Sequence, residues 1–176
     1  MRVAVLLLVA VFGATPARSE VTDKAANGFT IKVVFDVAAP PDTVYTSLVR
    51  HVGEWWDAEH TYSGDSKNLS IVAKPGGCFC EVLPAGGVQH GTVVNVAAGR
   101  LLRIVGSLGP LQAAGTTGVM SWQLEKSGTG SKLTFTYSVG GYYPGGLDTL
   151  AAVVDGVLTH QVQRLKEYSE NAARIR

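Results

Sequence analysis

The last third of the chain constrains its fold more than any other stretch. A β-like run over residues 131 to 139 crosses the glycine-rich hinge Gly140-Gly-Tyr-Tyr-Pro-Gly-Gly146 and enters one long amphipathic helix, predicted over residues 147 to 172. Leu147, Leu150, Val154, Val157, Leu158, Gln161, Leu165 and Tyr168 recur at steps of three and four, so they share one stripe, while Asp148, Thr159, Gln163, Lys166 and Glu170 point elsewhere. A single long helix after a series of strands has to bury that stripe against a sheet. If the sheet is curved, there is room for a ligand between the two.

Arg2 is followed by an apolar run from Val3 to Gly13 and then by small residues at Ala17 and Ser19. That is the pattern of a secretory signal, residues 1 to 19, cleaved before Glu20. The run is about 11 residues, short of the roughly 20 that a membrane-spanning helix needs, so no membrane segment is expected after processing. Residues 20 to 27 have no apolar period and are expected to be poorly ordered, leaving one domain over residues 28 to 172. The 15 basic side chains fall to 13 when Arg2 and Arg18 leave with the signal, against 14 acidic ones, for a net charge close to −1. Such a balance offers nothing to nucleic acid or to an anionic membrane surface. The chain is therefore expected to be exported, to the periplasm or outside the cell.

The strand pattern starts at Phe29, where Ile31, Val33, Phe35 and Val37 alternate with Thr30, Lys32, Val34 and Asp36. Pro40, Pro41 and Asp42 open a helix that runs through Arg50, the prolines lying in its tolerated first turn, and residues 51 to 57 form a second short helix or turn. Strands are then expected over 68 to 74, 78 to 83, 88 to 97, 101 to 107, 118 to 126 and 132 to 139, joined by connections short enough for antiparallel neighbours. The order is one strand, two short helices, six strands and one long helix, an α+β arrangement with about seven antiparallel strands. Cys78 and Cys80 are the only cysteines. On a regular strand their Cα atoms would lie about 6.6 Å apart with parallel Cβ vectors, which favours two buried reduced thiols; a metal pair or a strained redox pair is the alternative.

The opening Val37-Ala-Ala-Pro-Pro-Asp-Thr-Val-Tyr45 with Glu54-Trp-Trp56, the turn Pro75-Gly-Gly-Cys-Phe-Cys-Glu81, the hairpin from His90-Gly-Thr-Val-Val94 to Gly99-Arg-Leu-Leu-Arg103, and the terminal helix together resemble the START-like, or SRPBCC, helix-grip superfamily. That superfamily includes Bet v type proteins, polyketide cyclases and dehydrases, and Aha-type ATPase-activator homology domains. The resemblance spans residues 29 to 168 and implies a curved antiparallel sheet wrapped around the long C-terminal helix. One fold over many activities implies architecture before chemistry.

If Leu133, Phe135, Tyr137 and Val139 point inward, their neighbours Met120, Trp122 and Leu124 join them. With the helix stripe they either interdigitate as a solid core or line a cavity, and the helix-grip resemblance favours the cavity. Its expected ligand contacts are Trp56, Met120, Trp122, Phe135, Tyr137, Tyr142, Val154 and Leu158. Trp55 and Trp56 cannot share one helix face, so one is expected to pack inward and the other to stay partly exposed at the mouth.

His90 and Glu81 are the expected polar groups of the cavity. His90 is read as pointing with Thr92 and Val94, either structural or a cavity acid or base, and Glu81 as facing solvent or as buried. Burial would raise the pKa of Glu81 and make it a proton carrier, unless Arg103 pairs with it across the sheet, the preferred alternative. His51, Asp57, Glu59 and His60 are metal-capable types, but their spacing is not a ligand pattern, so neither metal nor cofactor is expected. No nucleophile elbow, phosphate loop or dinucleotide fingerprint occurs, and no residue is assigned as catalytic. The leading reading is an exported protein that binds a small apolar or amphipathic ligand, and an enzymatic activity is not the first expectation. A cyclase- or dehydrase-like enzyme acting in the same cavity is the alternative. A protein-interaction module related to the ATPase activators comes third, because those relatives serve a cytosolic chaperone.

Overall fold

A computed structural model describes residues 18 to 175. The expected signal segment falls on residues 1 to 17, outside the described residues, except for its last two. Where side chains alternate in polarity the chain is extended: β2 (Gly28–Val37) buries Phe29, Ile31, Val33, Phe35 and Val37 and turns Lys32 and Asp36 outward. Helix α1 (Pro41–Arg50) begins at its proline and buries Val44, Tyr45 and Leu48, and the short α2 (Val52–Trp55) follows at once. Strands β3 (Leu69–Ile71), β4 (Cys78–Leu83), β5 (Gly86–Ala97), β6 (Leu101–Val105), β7 (Gly115–Ser127) and β8 (Gly130–Tyr142) form an antiparallel meander. Gly128, at φ 57°, makes the tight turn between the last two.

The sheet has eight strands, one more than expected, in the order β1-β2-β8-β7-β6-β5-β4-β3. The additional strand, β1 (Arg18–Ala25), occupies residues expected to be poorly ordered, together with the last two residues of the expected signal. It pairs with β2 from Arg18 opposite Val34 to Ala25 opposite Gly28. The backbone ladder supplies what composition hides, since β1 needs little apolar surface where its inward side chain Ser19 bonds the polar flank of the helix, at Asp155 and Thr159.

Helix α3 (Ala151–Arg174) starts four residues later than predicted, after a single 3-10 turn at Leu147–Thr149. Its buried face is Ala151, Leu158, Gln161, Val162, Leu165 and Ser169, so Ala151, Val162 and Ser169 join the stripe. Leu150, Val154, Val157 and Tyr168 are only half-buried. α3 packs against β2, α1 and the β1 edge, and the side of its first turns that carries Val153, Val154 and Val157 faces a cavity instead of the sheet.

β7 and β8 pack inward as read from alternation. Met120, Trp122, Leu124, Leu133, Phe135, Tyr137 and Val139 are all buried. Trp122 and Phe135 meet with ring centroids 5.0 Å apart. These residues are the solid core, with one small void of about 10 Å³ beside Met120, Trp122, Phe135, Leu158 and Gln161.

Candidate functional site

Two irregularities in β5 shape the site. Phe79 pairs with Gly91 and Cys80 with Gln89, which leaves His90 as an extra residue, and a second shift leaves Val94 unpaired between Val93 and Asn95. A bulge reverses the alternation downstream of it and re-aims the side chain it carries. His90 and Gly91 are consequently both buried, while Val94 is exposed. His90 therefore does not point with Val94, as regular alternation predicts. Gly91 follows the bulge because a Cβ there would collide with Ile104 and with the Val105 backbone.

Inward from this bulge lies a cavity of about 470 Å³. Its floor is Leu69, Phe79 and His90; one wall is Trp56 and the loop Glu59-His60-Thr61-Tyr62, another is Leu108 to Leu111, and α3 with the residue before it supplies Val153, Val154, Val157, Leu158 and Leu150. Val153 is 67% exposed and stands at the mouth. The Tyr62 hydroxyl donates to the Gly109 carbonyl at 3.0 Å, tying the two loops that frame the opening. The cavity exists because the first turns of α3 and these loops lie beyond the packed strands β7 and β8.

Glu81 lies behind His90, 1% exposed. One carboxylate oxygen accepts the backbone N–H of Ser63; the other accepts that of Tyr62 at 3.1 Å and meets His90 Nε2 at 3.0 Å. Burial works to raise the Glu81 carboxyl, but the hydrogen bonds from Ser63, Tyr62 and His90 outweigh it and hold the group below its ordinary value. Burial lowers His90 below its ordinary value, against the opposing pull of Glu81. At neutral pH the pair is therefore a carboxylate and a neutral imidazole, with the ring proton on Nε2. No described residue bonds Nδ1.

The structure brings together only part of the expected site. Trp56, Val154, Leu158 and His90 line the cavity, with Glu81 immediately behind. Met120, Trp122 and Phe135 face the small void instead, because they belong to the packed middle of the sheet. Tyr137 is fully buried, and its hydroxyl donates to the Gly106 carbonyl and accepts the Leu108 N–H, both at 3.3 Å; burial pushes it up to about 12. Tyr142 is 73% exposed at the last residue of β8 and does not line the cavity. Both tryptophans are buried, contrary to expectation: Trp55 Nε1 donates to the Ser47 carbonyl and Trp56 Nε1 to that of His60, so each ring's polar edge is satisfied inside the fold.

Arg103 does not pair with Glu81. It lies two strands from β4 and donates to Ser121 Oγ at 2.9 Å. Cys78 and Cys80 are neither buried nor reduced; they are half-buried on the outer side of β4 and joined by a disulfide, their Cα atoms 5.4 Å apart. The strand leaves ideal geometry there, beside the His90 bulge, and this closes the distance that a regular strand would hold open. Among the metal-capable residues, His51 lies against Tyr168, Asp57 accepts the Glu59 N–H and approaches His160, and Glu59 and His60 border the cavity. No group of three or more potential metal ligands occurs among the described residues, and no described helix is long and apolar enough to cross a membrane.

Sequence reasoning missed Leu69, Phe79, Leu108 to Leu111 and the 59-to-62 loop as lining residues. Phe79 alone carried a signal, as an aromatic between two cysteines on a strand.

A family model described as polyketide cyclase / dehydrase and lipid transport matches residues 28–170. No curated protein matches the sequence. Among solved structures, a protein from Rhizobium leguminosarum is similar at a TM-score of 0.62 and 16% identity, over 89% of this chain and 99% of that one. CalU16 from Micromonospora echinospora is similar at 0.57 and 14%, over 89% and 84%. The Aha1 dimer from Colwellia psychrerythraea is similar at 0.57 and 18%, over 80% and 96%. At these identities the likenesses are of fold, the helix grip that the sequence resembles.

Proposed function

The chain belongs to the polyketide cyclase / dehydrase and lipid transport family, and we propose that it is an exported protein that binds one small, mainly apolar or amphipathic molecule between the sheet and α3. The cavity carries this reading. Its volume of about 470 Å³ lies within the roughly 300 to 1,000 Å³ of small-molecule sites, and its lining is chiefly aliphatic and aromatic. Export is supported by Arg2 and the apolar run that follows it.

The test is binding of Nile red, a neutral apolar dye, read by its fluorescence and by a rise in melting temperature. Val154→Trp should fill the cavity and abolish binding with little loss of stability, because the residue faces open space. A native protein that binds no apolar probe, together with a Trp variant that unfolds, would overturn the reading.

A second reading, a cyclase- or dehydrase-like enzyme acting in the same cavity, is favoured by one observation. A buried carboxylate that orients a neutral imidazole on a cavity wall is the arrangement of a general base. Recovery of a bound molecule chemically changed after incubation with the protein would favour catalysis over binding alone.

A further inference from the structure

Among the described residues that line the cavity, His90 is the one polar side chain that is buried. Both oxygens of Glu81 accept backbone N–H groups, which can only donate, so the carboxylate presents acceptors throughout and His90 must offer Nε2–H to it. That fixes the tautomer and leaves the lone pair of Nδ1 as the acceptor of a ring that forms part of the cavity floor. No described lining residue is Lys or Arg; Glu59 and His60 sit on the loop at the exposed edge of the space, and the hydroxyls of Thr61 and Tyr62 on that loop donate to the carbonyls of Ala58 and Gly109.

We infer that the cavity selects a neutral ligand whose polar end is a hydroxyl donor, that is a phenol, an enol or an alcohol, received by Nδ1 of His90, and that it rejects carboxylates of the same size. This rests on the cavity being a ligand site. A hydroxyl hydrogen pairs with the Nδ1 lone pair as the wall is desolvated. A hydrocarbon leaves that acceptor unpaired, which is the costly outcome for a buried polar group. A carboxylate brings its own lone pairs against that of Nδ1, with the Glu81 charge just behind the ring and no cation to offset it.

Competition against Nile red at neutral pH with 2-naphthol, naphthalene and 2-naphthoate tests the inference, because the three differ at one substituent. The naphthol should bind about three- to tenfold more tightly than naphthalene, and the naphthoate at least tenfold more weakly than the naphthol. His90→Leu should bring naphthol and naphthalene within about twofold of each other, and Glu81→Gln should shrink the preference by releasing the tautomer. Equal binding of naphthol and naphthalene by the native protein, or naphthoate binding as tight as naphthol, overturns the inference and leaves the cavity reading standing. A naphthol preference that survives His90→Leu also overturns it. If none of the three displaces the dye and the dye itself does not bind, the cavity reading falls and takes the inference with it.

Discussion

The ring of Phe79 stands edge-on to that of Trp56, centroids 5.6 Å apart and planes at 68°, and this contact joins the cavity floor to the helical layer. The cysteines on either side of Phe79 are bonded to each other on the opposite face of the strand. Two different forces thus hold one residue in place, burial from within and a covalent link from without.

Their sizes differ. Phe79→Ala removes a fully buried ring from both the floor and the contact with Trp56 and should cost about 3 to 5 kcal/mol. The double change Cys78→Ser, Cys80→Ser should cost no more than about 1 to 2 kcal/mol, since a bond that closes so short a loop removes little chain entropy. Chemical denaturation of both proteins measures this. A serine variant less stable than the alanine variant would mean that the disulfide, rather than the buried ring, sets the shape of β4.

The α3 faces can be told apart in the same way. Leu158 is buried and borders both the cavity and the small void, so Leu158→Ala should cost about 2 to 4 kcal/mol. Lys166 bonds Glu170 at 2.6 Å on the half-exposed side, and Lys166→Ala should cost under about 1 kcal/mol. Equal effects in urea titrations would put the wrong face of α3 against the sheet.

Acid should destabilise the fold in two stages. The His90 value is lowered on folding, so the unfolded chain takes up the proton first, and the stability contributed by the neutral ring begins to fall as pH drops through the ordinary value of 6.5. Glu81 is likewise lowered, and its contribution, intact above the ordinary value of 4.5, is lost below that pH. Melting temperatures measured from pH 8 to pH 3 should therefore decline from about 6.5, and His90→Gln should remove the upper part of the decline. An unchanged profile in that variant would assign the upper stage to another group.

If the chain is exported, its mature form should retain Ser19, one residue short of the expected cleavage before Glu20. Ser19 bonds Asp155 and Thr159 of α3, contacts that cleavage before Glu20 would discard. N-terminal sequencing of exported material reads this directly. A chain still starting at Met1 would count against export altogether.

Local pattern carried the reading of individual elements. The alternation of Leu133, Phe135, Tyr137 and Val139, the prolines before α1 and the three- and four-residue steps of the last helix each bury one face in one geometry, so period alone assigns the element and its inner side. The site was less legible. Val154 and Leu158 lie on that helical stripe and border the cavity, whereas Met120, Trp122 and Phe135 have the same inward pattern and are solid core. Period separates inside from outside; it does not separate packed from open.

Sequence by itself therefore determined the α+β order of elements from β2 onward, the antiparallel meander, the closing helix and which faces of β2, β7 and β8 turn inward, because each depends on neighbours a few residues away. Tertiary structure alone decided the rest. The pairing of β1 depends on an edge offered by β2, and the position of the cavity depends on how far α3 and the loops at residues 59 to 62 and 108 to 111 stand from the end of the sheet. The disulfide and the union of Glu81 with His90 depend on a single extra residue in β5, which shifts the strand register by one and turns His90 inward to where the carboxylate waits.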